Sequence, residues 1–354
     1  MDSLSSILRS NELDEKEYII LQEILKNYDF IVIEIQKVRS AYKVVTTSGC
    51  YCLKKMKHGK YKVKNGYILV QQLNKNNFMN VAKYIKDKNG NLYVNYNRYI
   101  FYVTEWIDGD ECDLKSMKEA LNCVKLLAKF HIASQKVDVE KLKIRNNLKN
   151  WPKIFTDSLN EMANYKKLIE KKVLKTDFDI KYGEYIDKFY NRGIVSINIL
   201  NKSDYYKISR DANINKTICH DSFYYQNILC KDGNYFLVDL DSIIIDLQIN
   251  DLGKLLRRLM TKKEYLWDFQ SAREIINAYS NINPLSAGEL TAMLALIIFP
   301  HKFWKLGKKR YIKHKNWSEF KYSSKLDKII EHCELQDLFI DDYLTYIYEL
   351  KAKE

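Results

Sequence analysis

The chain has 354 residues and a formal charge of +13, from 58 Lys and Arg against 45 Asp and Glu; at ~100 to 200 residues per domain it has room for two. The positive excess predicts attraction to anionic surfaces or polymers, but no groove-reading motif accompanies it, so nucleic acid is not the expected partner. Seven cysteines without zinc-ligand spacing argue for reduced thiols over a zinc site or disulfide framework, and the longest apolar run, Met293 to Phe299, is far too short to span a bilayer.

The opening MDSLSSILRSNELDEKE has no basic start followed by an apolar core, so the chain is expected to be made and kept inside a cell. Asp14 to Asn27 then carries Tyr18, Ile19, Leu21, Ile24 and Leu25 at helical spacing, with acidic residues in the first turn. Ile31 to Val38, Ala41 to Thr47 and Tyr51 to Met56 alternate as strands, with Ser48-Gly49 turning between the last two. A helix over Val63 to Asn74 precedes Val81 to Ile85, a Lys88-Asn89-Gly90 turn, Leu92 to Val94, and Tyr99 to Trp106. The expectation is a five-stranded antiparallel sheet with its lead-in helix over residues 1–107, then a mainly helical domain over 108–354. In the latter, Met117 to Ser134, Trp151 to Leu174, Asp177 to Leu200 and Tyr205 to Asp211 read as helices. Ser286-Ala287-Gly288-Glu289 is a capping box opening a helix that Pro300 ends.

The chemistry is concentrated in Ile218 to Asp251, ICHDSFYYQNILCKDGNYFLVDLDSIIIDLQIND. A short apolar run ends at His220, and a loop leads to Asn227 and the strand Ile228-Leu229. Lys231-Asp232-Gly233-Asn234 is a hairpin turn, and a second strand ends at Asp239-Leu240-Asp241. One amide and two carboxylates therefore converge at neighbouring strand ends. Asn227, Asp239 and Asp241 are hard oxygen ligands suited to Mg²⁺, whose remaining positions substrate phosphates fill. Asp251, before LGKLLRRLM, is placed to cap a helix. His131, among apolar neighbours, reads as a hydrogen-bonded core histidine.

This His-to-Asn loop followed by a strand-borne Asp resembles the catalytic and metal loops of protein kinases and aminoglycoside phosphotransferases. The wider wording, with TEWIDGDE at Thr104 to Glu111 and FPHKFWKLG at Phe299 to Gly307, is similar to the CotS-type spore coat proteins, which share that fold. The resemblance implies an α+β, two-lobed kinase-like fold with an antiparallel-sheet N-lobe and a mainly helical C-lobe. It implies ATP and Mg²⁺ as cofactors, Lys54 facing the phosphates, and Glu105 and Ile107 at the hinge that meets adenine.

Three parts depart from that pattern. The catalytic Asp belongs two residues after the His and five before the Asn, where Ser222 stands; the loop's only carboxylate is Asp221, and a hydroxyl does not serve as the base near neutral pH. The helix Glu that should orient Lys54 is absent, leaving Gln71 or Gln72, whose amides bond an ammonium more weakly than a carboxylate. The phosphate-covering turn, Gln36 to Tyr42, has no Gly, so nucleotide binding is expected to be weakened or lost.

Two readings follow. In the first, the chain is made in the mother cell and placed in the spore coat, where it binds coat proteins or an anionic coat component. In the second, it is a phosphotransferase for a small molecule or sugar with Asp221 as a shifted base. A third, weaker one assigns anion binding to the run Lys302 to Lys315, expected to be mostly exposed and anchored by Phe303, Trp304 and Tyr311.

Overall fold

The computed structural model describes residues 13–148 and 150–352. Residues 1–12, most of the stretch read above as lacking a secretory signal, lie outside the described residues. The first elements are helix α1 (Glu15–Leu25), strands β1 (Val32–Val38), β2 (Ala41–Thr46) and β3 (Gly49–Met56), helix α2 (Lys60–Lys75), and strands β4 (Tyr84–Ile85), β5 (Val94–Tyr96), β6 (Tyr99–Glu105) and β7 (Asp110–Glu111). Next come α3 (Met117–Ser134), β8 (Arg145–Asn146), α4 (Trp151–Glu170), α5 (Asp177–Lys202), α6 (Tyr205–Asn215), β9 (Ile218–Cys219), β10 (Ile228–Lys231), β11 (Asn234–Leu237) and β12 (Ile244–Ile245). Six helices follow: α7 (Ile249–Leu259), α8 (Phe269–Ser280), α9 (Ala287–Ile298), α10 (His301–Gly307), α11 (Glu319–Ile330) and α12 (Cys333–Lys351). Among the described residues no helix is long and apolar enough to cross a membrane.

The chain divides into two compact units. The first comprises the described residues up to Cys112 with Lys136–Ile144 and Tyr225–Ile243. Its main sheet is antiparallel, in the order β1-β2-β3-β6-β4, with β5 also on β6. It therefore has six strands where five were expected. The sixth arises because β4 pairs with Val103 and Thr104 while β5 pairs with Tyr99 to Phe101, so two short strands lie end to end along one edge of β6. Between them Gly90 turns the chain at φ 80°, a conformation that costs glycine little.

Period-two alternation buries Tyr42, Val44 and Thr46 of β2, and helical spacing buries Leu21, Ile24 and Leu25 of α1. These apolar faces meet, with Tyr28, Leu53, Phe101 and Val103, in one core. Each large apolar side chain so buried contributes ~1.5–3 kcal/mol of transfer free energy. Asp14 caps α1, accepting from the Glu17 N–H at 2.7 Å.

The second unit comprises Asp113–Gln135, the described residues from Arg145 to Tyr224, and those from Ile244 onward. Helix α9 is its centre: every residue from Leu290 to Ile298 is buried, as an apolar helix surrounded by others must be. Helices α5, α6, α7 and α12 all pack on it. The expected capping box forms, with Ser286 accepting from Glu289 N–H at 3.2 Å and Glu289 from Ser286 N–H at 2.9 Å. A small sheet, β8-β12-β9, joins Arg145–Asn146 to the strand that leads into His220.

The basic run at 302–315 is less exposed than its composition suggested. Phe303 and Tyr311 are buried as anchors, while Lys308 pairs with Glu161 at 2.7 Å and Arg310 with Glu319 at 2.6 Å. Part of that charge is thus neutralised within the fold.

Candidate active site

In the first unit, β3 carries Lys54 opposite Ala41 on one side and Tyr102 on the other. Its ammonium donates to Asp239 Oδ1 at 2.7 Å. Burial alone would push the Lys54 pKa down, but Asp239, Cys52 and Asp241 more than offset this and hold it above its ordinary value. Lysine's partner is therefore not an amide of α2. Gln72 is committed elsewhere, accepting from the Asp138 N–H at 2.7 Å and donating to its carbonyl at 3.3 Å, and Gln71 is exposed.

The hairpin β10–β11 positions the proposed metal ligands. Its turn is tight, with Asp232 and Gly233 at φ 50° and 75°, the pair of positive φ values that a two-residue hairpin turn requires. Ile228 opposes Leu237, and one step further the Val238 N–H donates to the Asn227 carbonyl at 3.0 Å. Asn227 and Asp239 thus leave the hairpin at the same end. Asp239 takes φ 68°, a costly backbone for a non-glycine residue and one found often at functional sites. Burial, and then the charge of Asp239, push the Asp241 carboxyl above the usual range while Lys54 and Lys62 pull it down. Ser242 Oγ donates to Asp241 at 3.1 Å. The hairpin is fixed to its unit by Asn80, whose carbonyl accepts from Leu237 N–H at 2.8 Å and whose amide donates to the Tyr235 carbonyl at 2.9 Å.

Two other nucleotide features can be tested on geometry. The turn between β1 and β2 contains only Arg39 and Ser40, since Val38 already pairs with Ala41, and Arg39 stands at φ 55° with its guanidinium on Glu111. So short a turn offers few N–H groups to phosphate. At the end of β6, Glu105 N–H donates to the Lys83 carbonyl at 2.8 Å and Trp106 N–H to the Cys50 carbonyl at 3.2 Å. An adenine edge would be left the backbone of Ile107 and the Glu105 carbonyl, which already accepts from Thr104 Oγ1 at 3.3 Å. Amide and carboxylate oxygens are the donor chemistry that Mg²⁺ takes, whereas the two-residue turn makes a poor phosphate cradle.

In the second unit, the catalytic loop is organised by Asp251. It lies in the first turn of α7, which Gln248 precedes as the cap residue, so the capping expectation is corrected by three positions. Its carboxylate instead accepts from the N–H of His220 at 2.6 Å and of Asp221 at 2.8 Å, and it pairs with His131 Nε2 at 3.2 Å. His131 Nδ1 meets the Tyr279 hydroxyl at 2.7 Å. Burial would raise the Asp251 pKa, but the His131 bond and the charges of His131, His220 and Lys254 hold it below the ordinary range. His131, Cys219 and Asp251 have ligand atoms within 4.8 Å of one another, yet hydrogen bonds already occupy them, the Cys219 thiol donating to the Leu247 carbonyl at 3.1 Å.

Ser222 follows, its N–H donating to His220 Nδ1 at 3.3 Å. Asp221 stands at φ 65°, and its carboxylate is held by Lys254 of α7, with Arg145 of β8 at 3.9 Å. Sequence reasoning missed Lys254 and Arg145. The signal was faint: a Lys one helical step beyond Asp251 and an Arg on a two-residue strand far upstream.

Comparison with known proteins places this architecture. A family model described as "Spore coat putative kinase YutH" matches residues 21–343. Spore coat protein S of Bacillus subtilis (strain 168) is 25% identical over 348 residues, covering 96% of this chain and 97% of that protein. A solved aminoglycoside phosphotransferase from Alicyclobacillus acidocaldarius superposes with a TM-score of 0.85 at 16% identity, over 98% of this chain and 100% of that one. Spectinomycin phosphotransferase, solved with ADP and spectinomycin, gives 0.61 at 12% identity over 91% and 98%. The fold is that of the kinase-like phosphotransferases. With the family match running through nearly the whole chain, this protein belongs to the YutH family of spore coat kinase-like proteins.

Proposed function

We propose that this chain is a spore coat protein, made in the mother cell, that uses a kinase-like fold to bind during coat assembly and no longer transfers phosphate efficiently. The observation that carries this reading is at the loop. Ser222 stands at the base position, and the neighbouring carboxylate of Asp221 is engaged by Lys254 and faced by Arg145. A base must accept the acceptor's hydroxyl proton, and a carboxylate held by cations is poorly placed to do so. The two-residue turn at Arg39-Ser40 and the commitment of Gln72 to Asp138 point the same way.

Lys54, Asn227, Asp239 and Asp241 would hold a magnesium nucleotide. When bound, the metal would draw together and neutralise phosphate oxygens. In this chain Lys54 already neutralises Asp239, so the residues hold their geometry before any ligand arrives. That set favours the second reading, an ATP- and Mg²⁺-dependent phosphotransferase for a small molecule or sugar using Asp221.

Turnover decides between them. Purified protein with ATP and Mg²⁺ is expected to show no hydrolysis or transfer above background. Turnover in the kinase range of ~1–100 s⁻¹ that Asp221→Asn abolishes would establish the shifted base instead.

A further inference from the structure

In the second unit, Lys254, Arg257 and Arg258 lie at i, i+3 and i+4 on α7 and so share one face. Lys302 of α10 reaches back to this helix's end, donating to Thr261 Oγ1 at 2.7 Å, and Lys305 follows at i+3. Arg258 donates to the carbonyl of Phe223 in the catalytic loop at 3.4 Å and lies 4.8 Å from the Tyr224 ring centre. Arg257 donates to the Leu296 carbonyl at 3.4 Å. These are neutral partners. Lys254 has Asp221, but among the described residues Arg257, Arg258, Lys302 and Lys305 have no carboxylate partner.

Such a cluster gathers positive charge without a counter-anion, its two lysines open to solvent and its two arginines half-buried. Burial, and then Arg258, push the Arg257 pKa down to about 10. Partial desolvation and then the charge of Arg257 lower Lys302 and Lys305, although both side chains stay exposed. Beside them His301 meets Phe155 and Phe299 edge to face, and its buried Nε2 has no hydrogen-bond partner among the described residues. Buried polar atoms are normally satisfied, so both charge and hydrogen bonding are left incomplete at one place. A guanidinium presents paired N–H donors that match phosphate oxygens, and lysine adds mobile charge.

We propose that Arg257, Arg258, Lys302 and Lys305 form an oxyanion site, next to the catalytic loop, for a small ligand bearing two or more phosphate groups. This rests on the binding reading above and names its ligand chemistry. A polyamine would be repelled here.

The test is calorimetric titration of the full chain with inorganic pyrophosphate. One-to-one binding is expected, weakened about tenfold or more in Lys302→Gln/Lys305→Gln, as the loss of charge-assisted bonds predicts. Arg258→Gln should weaken it comparably, with an unchanged circular dichroism spectrum. Lys313→Gln/Lys315→Gln removes the same charge from the other end of the basic run in sequence and should change affinity by less than about twofold, since net charge alone, screened within about 8 Å at physiological ionic strength, does not make the site. No binding, or equal weakening in that control, overturns the site. ATP turnover measured on the same proteins separates the two claims: turnover with pyrophosphate binding intact overturns only the binding-only reading.

Discussion

Lys54 Nζ lies 2.7 Å from Asp239 Oδ1, so the side chain suited to a nucleotide's phosphates is held by the carboxylate suited to its metal. A cation entering alone meets the lysine's positive charge at that carboxylate. Lys54→Met should therefore tighten Mn²⁺ binding to nucleotide-free protein, by up to about tenfold, as removal of a competing positive charge predicts. Titration followed by Mn²⁺ paramagnetic resonance measures it, and unchanged or weaker binding would remove Asp239 from the metal set.

Ser222→Asp restores a carboxylate two residues after His220 without changing the distance in sequence to Asn227. A general base contributes typically ~10²–10⁴-fold, and losses in one apparatus do not multiply. ATP turnover should rise by about 10²-fold, and Asp221→Asn in that background should leave it nearly unchanged. A coupled assay for ADP release reads both; a flat response to Ser222→Asp would show that the base is not what limits the protein.

Asp246 gives a pH signature. Burial raises its carboxyl to about 6, against the Asn147, Leu247 and Trp151 donors; in the unfolded chain it titrates near ~4. Between those values the native state holds a proton that the unfolded state has released, so this group's contribution falls as pH rises and the loss is complete above about 6. Asp251, whose pKa is lowered, acts oppositely: its contribution is full above ~4 and is lost as pH drops through its folded value. Denaturation of the parent and Asp246→Asn from pH 4 to 7 should yield curves whose difference changes by on the order of 2 kcal/mol across that window. A constant difference would contradict the assignment.

Gly307 ends α10 where an added Cβ would collide with the Tyr182 hydroxyl and lie 2.6 Å from Tyr165 Cδ2. Both tyrosines are fully buried, so neither ring can withdraw into solvent. Gly307→Ala should destabilise by about 1–3 kcal/mol, the usual cost of overpacking, read from urea midpoints. A midpoint unchanged within error would mean that the rings rearrange freely.

Much of this fold is legible in the sequence because local rules and tertiary packing agree. Ser286 and Glu289 announce their helix, the alternation in Ala41 to Thr46 announces its strand, and Met117 to Ser134 is helical to the residue. What escaped notice is set by long-range pairing. Nothing local in Tyr84-Ile85 and Val94 to Tyr96 says that they share one edge of β6. Nothing local in Asp221 says that Lys254 takes its carboxylate, or in Gln72 that Asp138 takes its amide. Ser222 was readable at once because the site pattern is a spacing along the chain; its electrostatic surroundings were not, because they come from α7 and β8.

The carboxylate of Asp251 grips the main chain of His220 and Asp221. Shape in the loop is thereby uncoupled from chemistry in the loop: this hold on the backbone of residues 220 and 221 makes no use of the side chain at position 222.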